Sequence, residues 1–351
     1  MFLCLFGTTA PGAESADNTY PCDGPDGARS RLYKDGSPQS SWSCRDGKLN
    51  GRLKHYNKKH ILINEVDYDA GEIHGWERVY SEENGTLQYE VQYEHGERLG
   101  ILRTYRNGLL RTEAHVRGLA YNGVVREYYQ NGRLQSEGLF ADGKRVGLYK
   151  TFYEDGSLKE RALYRDDKLH GTITSYTQDG SRTVAPYQNN QKEGIARTYY
   201  PNGRLQAEKE YEGDKLNGFA RLYHIDGFLS EDARYENDQL HGLTRTYFPN
   251  GQLKESIPYS RGEKNGAYKI FHENKELAEE GTYHADKLDG MRIRYDEKGA
   301  VTARSQFTDG VWIPRRAPAP PAPTETAKKE TKPERAAASQ KKNESEEKTE
   351  E

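Results

Sequence analysis

Residues 194–218 read GIARTYYPNGRLQAEKEYEGDKLNG, and closely related text begins again at Gly218 and at Gly242. The pattern continues in both directions with a glycine every 24 residues, slipping by one residue only near Gly100 and Gly194. A fixed period of this length indicates a repeat architecture, in which each unit packs only against its neighbours. The opening glycines are Gly27, Gly51, Gly75, Gly100, Gly123, Gly147, Gly171, Gly194, Gly218, Gly242, Gly266 and Gly290.

Each unit has the composition of a β-hairpin. Two runs rich in tyrosine, threonine and valine flank an Asn-Gly or Asp-Gly pair such as Asn202-Gly203, which is a typical hairpin turn. A second Asp, Asn or Gly cluster, such as Asp166-Asp167, joins one hairpin to the next. The sequence therefore predicts an all-β, elongated, single-layer antiparallel meander of about eleven to twelve 24-residue hairpin repeats.

The hairpin turn can be predicted in more detail. Proline precedes the turn at Pro201 and Pro249, where a two-residue loop would require an N–H that proline lacks. A three-residue loop removes the conflict, with Gly203 and Gly251 at positive φ. Counting the opening glycine as position 0, this loop places position 5 opposite position 11 and position 3 opposite position 13.

Strict alternation of side chains then predicts which residues share a face. Positions 1, 3, 5, 11 and 17 are predicted to share one face of the sheet. In the unit at Gly218 these are Phe219, Arg221, Tyr223, Leu229 and Tyr235. The opposite, mostly polar face would carry Ala220, Leu222, Ser230 and Asp232. The stacked units would form a ladder of aromatic and basic residues. Its candidate binding residues are Arg126, Tyr128, Arg197, Tyr199, Arg221, Tyr223, Arg245 and Tyr247.

A structural role is the favoured interpretation of the basic residues, with a phosphate- or anion-binding stripe as the alternative. Cross-strand acids would neutralise them, because opposite charges on neighbouring strands attract. The expected pairs are Lys150–Glu160, Arg221–Glu231 and Arg245–Glu255, whereas Glu137 and Glu208 are expected on the opposite, polar face.

These units resemble the MORN repeat in its bacterial variant form, roughly Y-Y-x-N-G-x-L followed by Y-x-x-G-K-x-x-G. Tyr199, Asn202, Gly203, Leu205 and Tyr211 show the motif in one copy, and the resemblance extends over residues 27–310. It implies a curved β-meander with a scaffold or binding role and no catalysis. Bacterial proteins of this type often carry an antitoxin-like label. The terminal units depart from the motif, as the caps of a repeat stack do.

Both ends of the chain differ from the repeats. Residues 1–16 read as a truncated signal segment, with Cys4 too early for lipidation. Residues 17–26 are expected to be an N-terminal cap, with a candidate disulfide between Cys22 and Cys44. Residues 311–351, rich in Pro and Ala and then in Lys and Glu, are expected to be a disordered tail, in which an inert spacer is favoured over a binding arm.

The composition argues against a globular enzyme. Only 33% of residues are hydrophobic, mean hydropathy is −1.06, and 26 tyrosines accompany two methionines. Catalytic motifs are missing from the sequence. His74, His170 and His241 precede opening glycines, and His170 and His241 would lie about 29 Å apart across six strands. No enzyme activity, cofactor or metal site is expected.

The most favoured function is a scaffold that binds another protein along its extended face. A glycan or cell-envelope module that uses the tyrosines is the alternative, a membrane surface is a further option, and an enzyme would require a hidden cleft. A net charge of −3, with 30% charged residues, gives no reason to expect nucleic acid. The signal-like start and the two cysteines favour export to the periplasm, cell surface or medium, with a cytoplasmic location as the alternative.

Overall fold

The computed structural model describes residues 20–314, which form one open antiparallel sheet of consecutive hairpins. Residues 20–314 contain no helix that could cross a membrane. Residues 1–19, with the signal-like segment and Cys4, and the tail from residue 315 lie outside the described residues. The strands are β1 (Gly27–Leu32), β2 (Pro38–Arg45), β3 (Lys48–Leu49), β4 (Gly51–Tyr56), β5 (Leu62–Asp69), β6 (Glu72–Tyr80), β7 (Leu87–Glu94), β8 (Glu97–Arg106), β9 (Leu109–Arg117), β10 (Ala120–Tyr128), β11 (Leu134–Ala141), β12 (Lys144–Phe152), β13 (Leu158–Arg165), β14 (Lys168–Leu169), β15 (Gly171–Tyr176), β16 (Arg182–Gln188), β17 (Gln191–Lys192), β18 (Gly194–Tyr199), β19 (Leu205–Glu212), β20 (Lys215–Tyr223), β21 (Leu229–Glu236), β22 (Gln239–Leu240), β23 (Gly242–Tyr247), β24 (Leu253–Ser260), β25 (Glu263–Lys264), β26 (Gly266–Phe271), β27 (Leu277–His284), β28 (Lys287–Leu288), β29 (Gly290–Tyr295), β30 (Val301–Thr308) and β31 (Val311–Ile313).

The hairpin loop has the predicted three residues. The Gly203 N–H donates to the Tyr200 carbonyl and the Tyr200 N–H to the Arg204 carbonyl, both at 2.9 Å. Gly203 and Gly251 each have φ of 82°, a left-handed conformation that glycine adopts without a Cβ clash. The Asn202 side chain stabilises the loop, because its Oδ1 accepts a hydrogen bond from the Arg204 N–H at 3.0 Å. The predicted positive φ is confirmed.

A β-bulge follows the loop and changes the expected register. Tyr199 pairs with Leu205 as predicted, but Thr198 pairs with Ala207, so Gln206 is an extra residue on the second strand. Arg197 at position 3 therefore faces Glu208 at position 14, and the predicted pairing of position 3 with position 13 is wrong. Every hairpin except the one that opens at Gly171 has this shift.

The irregular repeat lengths have local causes. The unit at Gly75 has a longer loop, closed by the Ser81 N–H donating to the Thr86 carbonyl, and the next unit has a two-residue loop at Asn107-Gly108. The unit at Gly171 keeps the three-residue loop but lacks the bulge. Each change shifts the period by one residue while the sheet remains continuous.

The bulge also redistributes the side chains between the two faces. Positions 1, 3, 5, 11, 14 and 16 share one face, which we call the arginine face, and positions 2, 4, 13, 15 and 17 share the other, the inner face. Tyr235 at position 17 therefore lies on the inner face, opposite to the expectation, and Asp232 lies on the arginine face. Ala220 is buried on the inner face, so that face is not the mostly polar one predicted.

The inner face carries the hydrophobic core, which is thin because its central residues are small in many repeats. Alanines at positions 13 and 15, such as Ala207 and Ala233, are at most 8% exposed. Two larger clusters lie in the N-terminal repeats. They consist of Trp42, Cys44, Leu49, Leu53, Val66 and Tyr68, and of Val91, Leu102 and Val116.

Turns between hairpins also attach each unit to the one before it. Gly213 and Asp214 both have positive φ, as in a type I′ turn. The Asp214 N–H donates to the Lys192 carbonyl at 3.1 Å, and the Asp214 carboxylate accepts the Lys192 N–H at 2.8 Å. Asp167, Asn190, Asp238 and Asp286 accept equivalent N–H groups from the preceding units.

The opening glycine is needed where one hairpin passes to the next. Gly123 has φ of 127°, and a Cβ there would lie 2.7 Å from the Cβ of His115 in the preceding hairpin. All of the opening glycines have positive φ, so the 24-residue period marks a recurrent backbone conformation.

The two ends of the described sheet differ. At the N-terminus, Cys22 and Cys44 form a disulfide, and the Tyr20 and Trp42 rings meet edge to face with centroids 5.4 Å apart. At the C-terminus the sheet continues past the expected boundary at residue 310, because β31 pairs with β30. Trp312 of β31 is 57% exposed. Pro314 then occupies the place of the next opening glycine, and its ring cannot adopt that glycine's positive φ.

Candidate binding surface

A row of alternating charges runs along the centre of the arginine face. It is formed by position 3 of each unit and the residue that pairs with it, and we call it the charge row. The pairing residue is at position 14 in most units, at position 15 for Glu90 and at position 13 for Glu113. In the N-terminal half each acid lies between two basic residues. The ion pairs there are Glu65–Arg78 (3.0 Å), Arg78–Glu90 (3.0 Å), Glu90–Arg103 (3.2 Å), Arg103–Glu113 (2.8 Å), Glu113–Arg126 (3.5 Å) and Arg126–Glu137 (2.8 Å).

Glu90 is the most enclosed acid of these pairs after Glu65. It accepts hydrogen bonds from Arg78, Arg103 and the Tyr105 hydroxyl, the last at 3.0 Å. Burial alone would raise the pKa of Glu90, but these hydrogen bonds outweigh it and hold the pKa below its ordinary value. Tyr80, which corresponds to Tyr105 in the preceding unit, makes the equivalent contact with Glu65, and burial together with this hydrogen bond raises the pKa of Tyr80 to about 12.

The ladder residues identified from the sequence do share the arginine face. Arg126, Arg197, Arg221 and Arg245 occupy position 3, and Tyr128, Tyr199, Tyr223 and Tyr247 occupy position 5 two residues further along the same strands. The arginine side chains are 39–43% exposed. Each is bound to at least one acid, so the row is a largely self-neutralised surface.

The acids that neutralise the row are not the ones expected. Arg126 binds Glu137 and Arg197 binds Glu208 at 2.7 Å, although both acids were assigned to the opposite face. Arg221 binds Asp232 at 3.1 Å, while Glu231 pairs with Leu222. Glu160 pairs with Thr151 and Glu255 with Thr246, so the expected pairs with Lys150 and Arg245 are wrong. In every case the bulge moved the acid by one position.

Position 6 carries contacts that the sequence analysis did not identify. The Tyr200 hydroxyl donates to the Tyr223 carbonyl of the next unit at 2.8 Å. Tyr33, Tyr129 and Tyr153 repeat this contact. These rings hold neighbouring hairpin tips together. The sequence feature that could have predicted these contacts is the pair of adjacent aromatic residues Tyr199 and Tyr200, because neighbouring side chains point to opposite sides of a strand.

Cations cover several ring faces. The Arg182 guanidinium lies 4.5 Å from the centroid of the Tyr199 ring on the arginine face, and Arg221 lies 4.6 Å from that of Phe219. On the inner face Arg145 lies 4.1 Å from Tyr164. Such contacts stabilise the rings in place and occupy the surface on which another planar group would stack.

Several histidines lie close to other titratable side chains. Within residues 20–314, no group of three His, Cys, Asp or Glu side chains is placed to hold a metal ion. The His74 and His95 rings are neighbours at 5.3 Å, and His241 lies 3.6 Å from Glu236. Glu236 and His241 also border a shallow depression of about 230 Å³.

The described residues form an open antiparallel sheet of stacked hairpins, with one thin apolar face and one charged face. This architecture is that of a β-hairpin repeat protein. Five segments of the chain match the family model described as the MORN repeat variant, at residues 121–142, 145–166, 192–212, 240–261 and 264–285. All five lie inside residues 27–310, where the sequence motif recurs. A search of curated proteins found no match.

Proposed function

We propose that this chain is a non-enzymatic scaffold that binds another protein along the arginine face. The observation that carries the proposal is the arginine face itself, on which partly exposed arginines and tyrosines recur from repeat to repeat along the sheet. MORN-type repeat scaffolds typically bind proteins or membranes. Arginine and tyrosine are also the residues that most often supply binding energy at protein interfaces.

The ring geometry favours a protein over a glycan as the ligand. Sugar rings stack on open aromatic faces, but Arg182 covers one face of Tyr199. The Tyr223 hydroxyl is engaged too, since it donates to Glu208 at 3.4 Å. A protein partner can instead exchange hydrogen bonds and ion pairs with the guanidinium and carboxylate groups that remain half exposed.

We also propose that the chain works in an exported, oxidising compartment. The disulfide between Cys22 and Cys44 supports this location, because disulfides persist outside the reducing cytosol. An antitoxin-like role, which the family resemblance implies, would be one specific form of protein binding. The captured partner would then be toxic when expressed alone and harmless when expressed with this chain.

Site-specific photo-crosslinking in the native host tests the proposal. A photoreactive phenylalanine analogue replaces Tyr223 on the arginine face and, as the matched control, Tyr235 on the inner face of the same hairpin. We expect a discrete protein adduct from position 223 and none from position 235. Adducts that contain only glycan or lipid would favour those ligands, and equal labelling at both positions would contradict the proposed face.

A further inference from the structure

The charge row contains a break in the unit that opens at Gly147. Lys150 at position 3 lies directly opposite Arg161 at position 14, where most units place an acid. The next two members of the row are uncharged, Thr174 and Val184. Within residues 20–314 neither the Lys150 nor the Arg161 side chain makes a hydrogen bond or ion pair. Opposed like charges destabilise a strand pair, so the break carries a cost that an acid would remove.

Exposed leucines lie beside this break on the same face. Leu139, Leu148 and Leu163 are 46%, 44% and 41% exposed. Leu148 and Leu163 are cross-strand partners, and each is two residues from a break cation along its strand, a separation of about 7 Å. Leu163 also lies over Gly171, where a Cβ would be 3.0 Å from its Cδ1 atom. We call Lys150, Arg161 and these three leucines the leucine–cation patch.

We propose that the leucine–cation patch binds an extended acidic segment of a partner protein, which supplies in trans the carboxylate that the charge row lacks there. The carboxylate would lie above the sheet between Lys150 and Arg161, and a neighbouring apolar side chain would cover the leucines. This inference rests on the proposed protein-binding function and specifies one place on the arginine face and the chemistry of its partner.

The charge row shows how such a carboxylate is held. Glu90 bridges two arginines, with Arg78 at 3.0 Å and Arg103 at 3.2 Å. A partner carboxylate at the break would likewise bind two cations. Glu137, which lies opposite Lys150 on its other side, binds Arg126 at 2.8 Å, and the uncharged Thr174 lies on the other side of Arg161. Charge and apolar surface are thus complementary to a segment in which acidic and aliphatic residues alternate on one side of an extended chain.

A protein segment fits this patch better than an anionic membrane. Sequences that bind anionic lipid through electrostatic attraction carry clusters of about four to eight cations. The break offers two cations, and its leucines are interleaved with them on a single sheet face. Such a small mixed surface suits one carboxylate and one apolar side chain.

A binding assay with the full chain and synthetic peptides tests the inference. The probe is a fluorescent peptide in which leucine and glutamate alternate at every second residue, with serine between them, and a glutamine version is its control. Lys150→Gln/Arg161→Gln removes the two cations. Lys144→Gln/Lys168→Gln removes two exposed cations beside the turns of the same hairpins and serves as the matched control, because both residues lie outside the charge row.

We expect the glutamate peptide to bind the wild-type chain and the control variant alike, and to bind the Lys150→Gln/Arg161→Gln variant about tenfold more weakly. Arg161→Glu should abolish binding while raising the stability of the chain, since it restores alternation within the row. A loss of binding in this variant cannot therefore be attributed to unfolding.

Three results would overturn the inference. The peptide would not bind the wild-type chain, or both double variants would weaken binding equally. In the third result, vesicles with anionic lipid would bind in a way that depends on Lys150 and Arg161, and the peptide would not bind. If the photo-crosslink at position 223 persists while the peptide fails, the scaffold binds protein elsewhere on the arginine face. Loss of both would reject the proposed function as well.

Discussion

Replacing Glu90 by glutamine tests whether the charge row stabilises the sheet. The substitution keeps the shape of the side chain and removes its charge. Glu90 is only 8% exposed and bonds to two arginines and the Tyr105 hydroxyl. Losing two charge-assisted hydrogen bonds, with a discount for the partly exposed arginines, should lower the free energy of unfolding by about 2 kcal/mol.

The matched comparison is Glu208→Gln. Glu208 bonds to a single arginine, Arg197 at 2.7 Å, and more weakly to the Tyr223 hydroxyl at 3.4 Å. The same reasoning gives a loss of about 1 kcal/mol. The ratio between the two variants depends on the number of arginines that bind each acid, which is two at Glu90 and one at Glu208.

Hydrogen exchange followed by mass spectrometry is the suitable assay, because each repeat contacts only its neighbours and can open locally. Protection should fall in β6 to β9 for Glu90→Gln and in β18 to β20 for Glu208→Gln. The reasoning is refuted if both variants lose the same stability, or if the loss at Glu90 is spread evenly over the described strands.

Three further outcomes follow from the loop, the disulfide and the acids. Gly203→Val should lower the free energy of unfolding by at least about 1 kcal/mol because φ of Gly203 is 82°, whereas Pro201→Ala should lower it by less than about 1 kcal/mol. Urea unfolding that shows the reverse order would contradict the three-residue loop. Cys22→Ser/Cys44→Ser should destabilise the first hairpins by roughly 3 kcal/mol, and unchanged exchange in β1 to β5 would contradict this. The pKa of Glu90 is lower in the folded state than its unfolded value of about 4.3, so Glu90 stabilises the chain above that pH and loses this effect as pH falls. The difference in free energy of unfolding between the wild type and Glu90→Gln should therefore narrow below about pH 4. A difference that stays constant down to pH 3 would contradict this.

The hairpin periodicity and loop type could be read from the sequence because they depend on local backbone chemistry. Pro201 excludes one turn type, and Gly203 permits the other. The bulge was missed because it places an ordinary residue, Gln206, where strict alternation has no room for it. Strict alternation puts Leu205 on the same face as Ala207 and Tyr211, and the observed bulge places Leu205 on the opposite face from them.

The composition of the arginine face was predictable only in part for the same reason. Arginines and tyrosines on the first strand of each hairpin were placed correctly, since no bulge intervenes between them. Their acidic partners lie beyond the bulge and were assigned to the wrong face. The like-charge contact of Lys150 with Arg161 became visible only with the observed register.

The contacts between hairpins determine how the length of the protein can change. The unit that opens at Gly194 carries one attachment in each direction: the Tyr200 hydroxyl donates to the Tyr223 carbonyl of the next unit, and the Asp214 carboxylate accepts the Lys192 N–H of the preceding unit. Both contacts use backbone groups of the neighbour, so neither depends on which side chains that neighbour carries. A 24-residue segment can thus be duplicated or excised in frame with its junctions intact. Unequal recombination between repeats would lengthen or shorten the sheet by about 10 Å at a time, the width of two strands, and so adjust its reach without new interactions having to evolve.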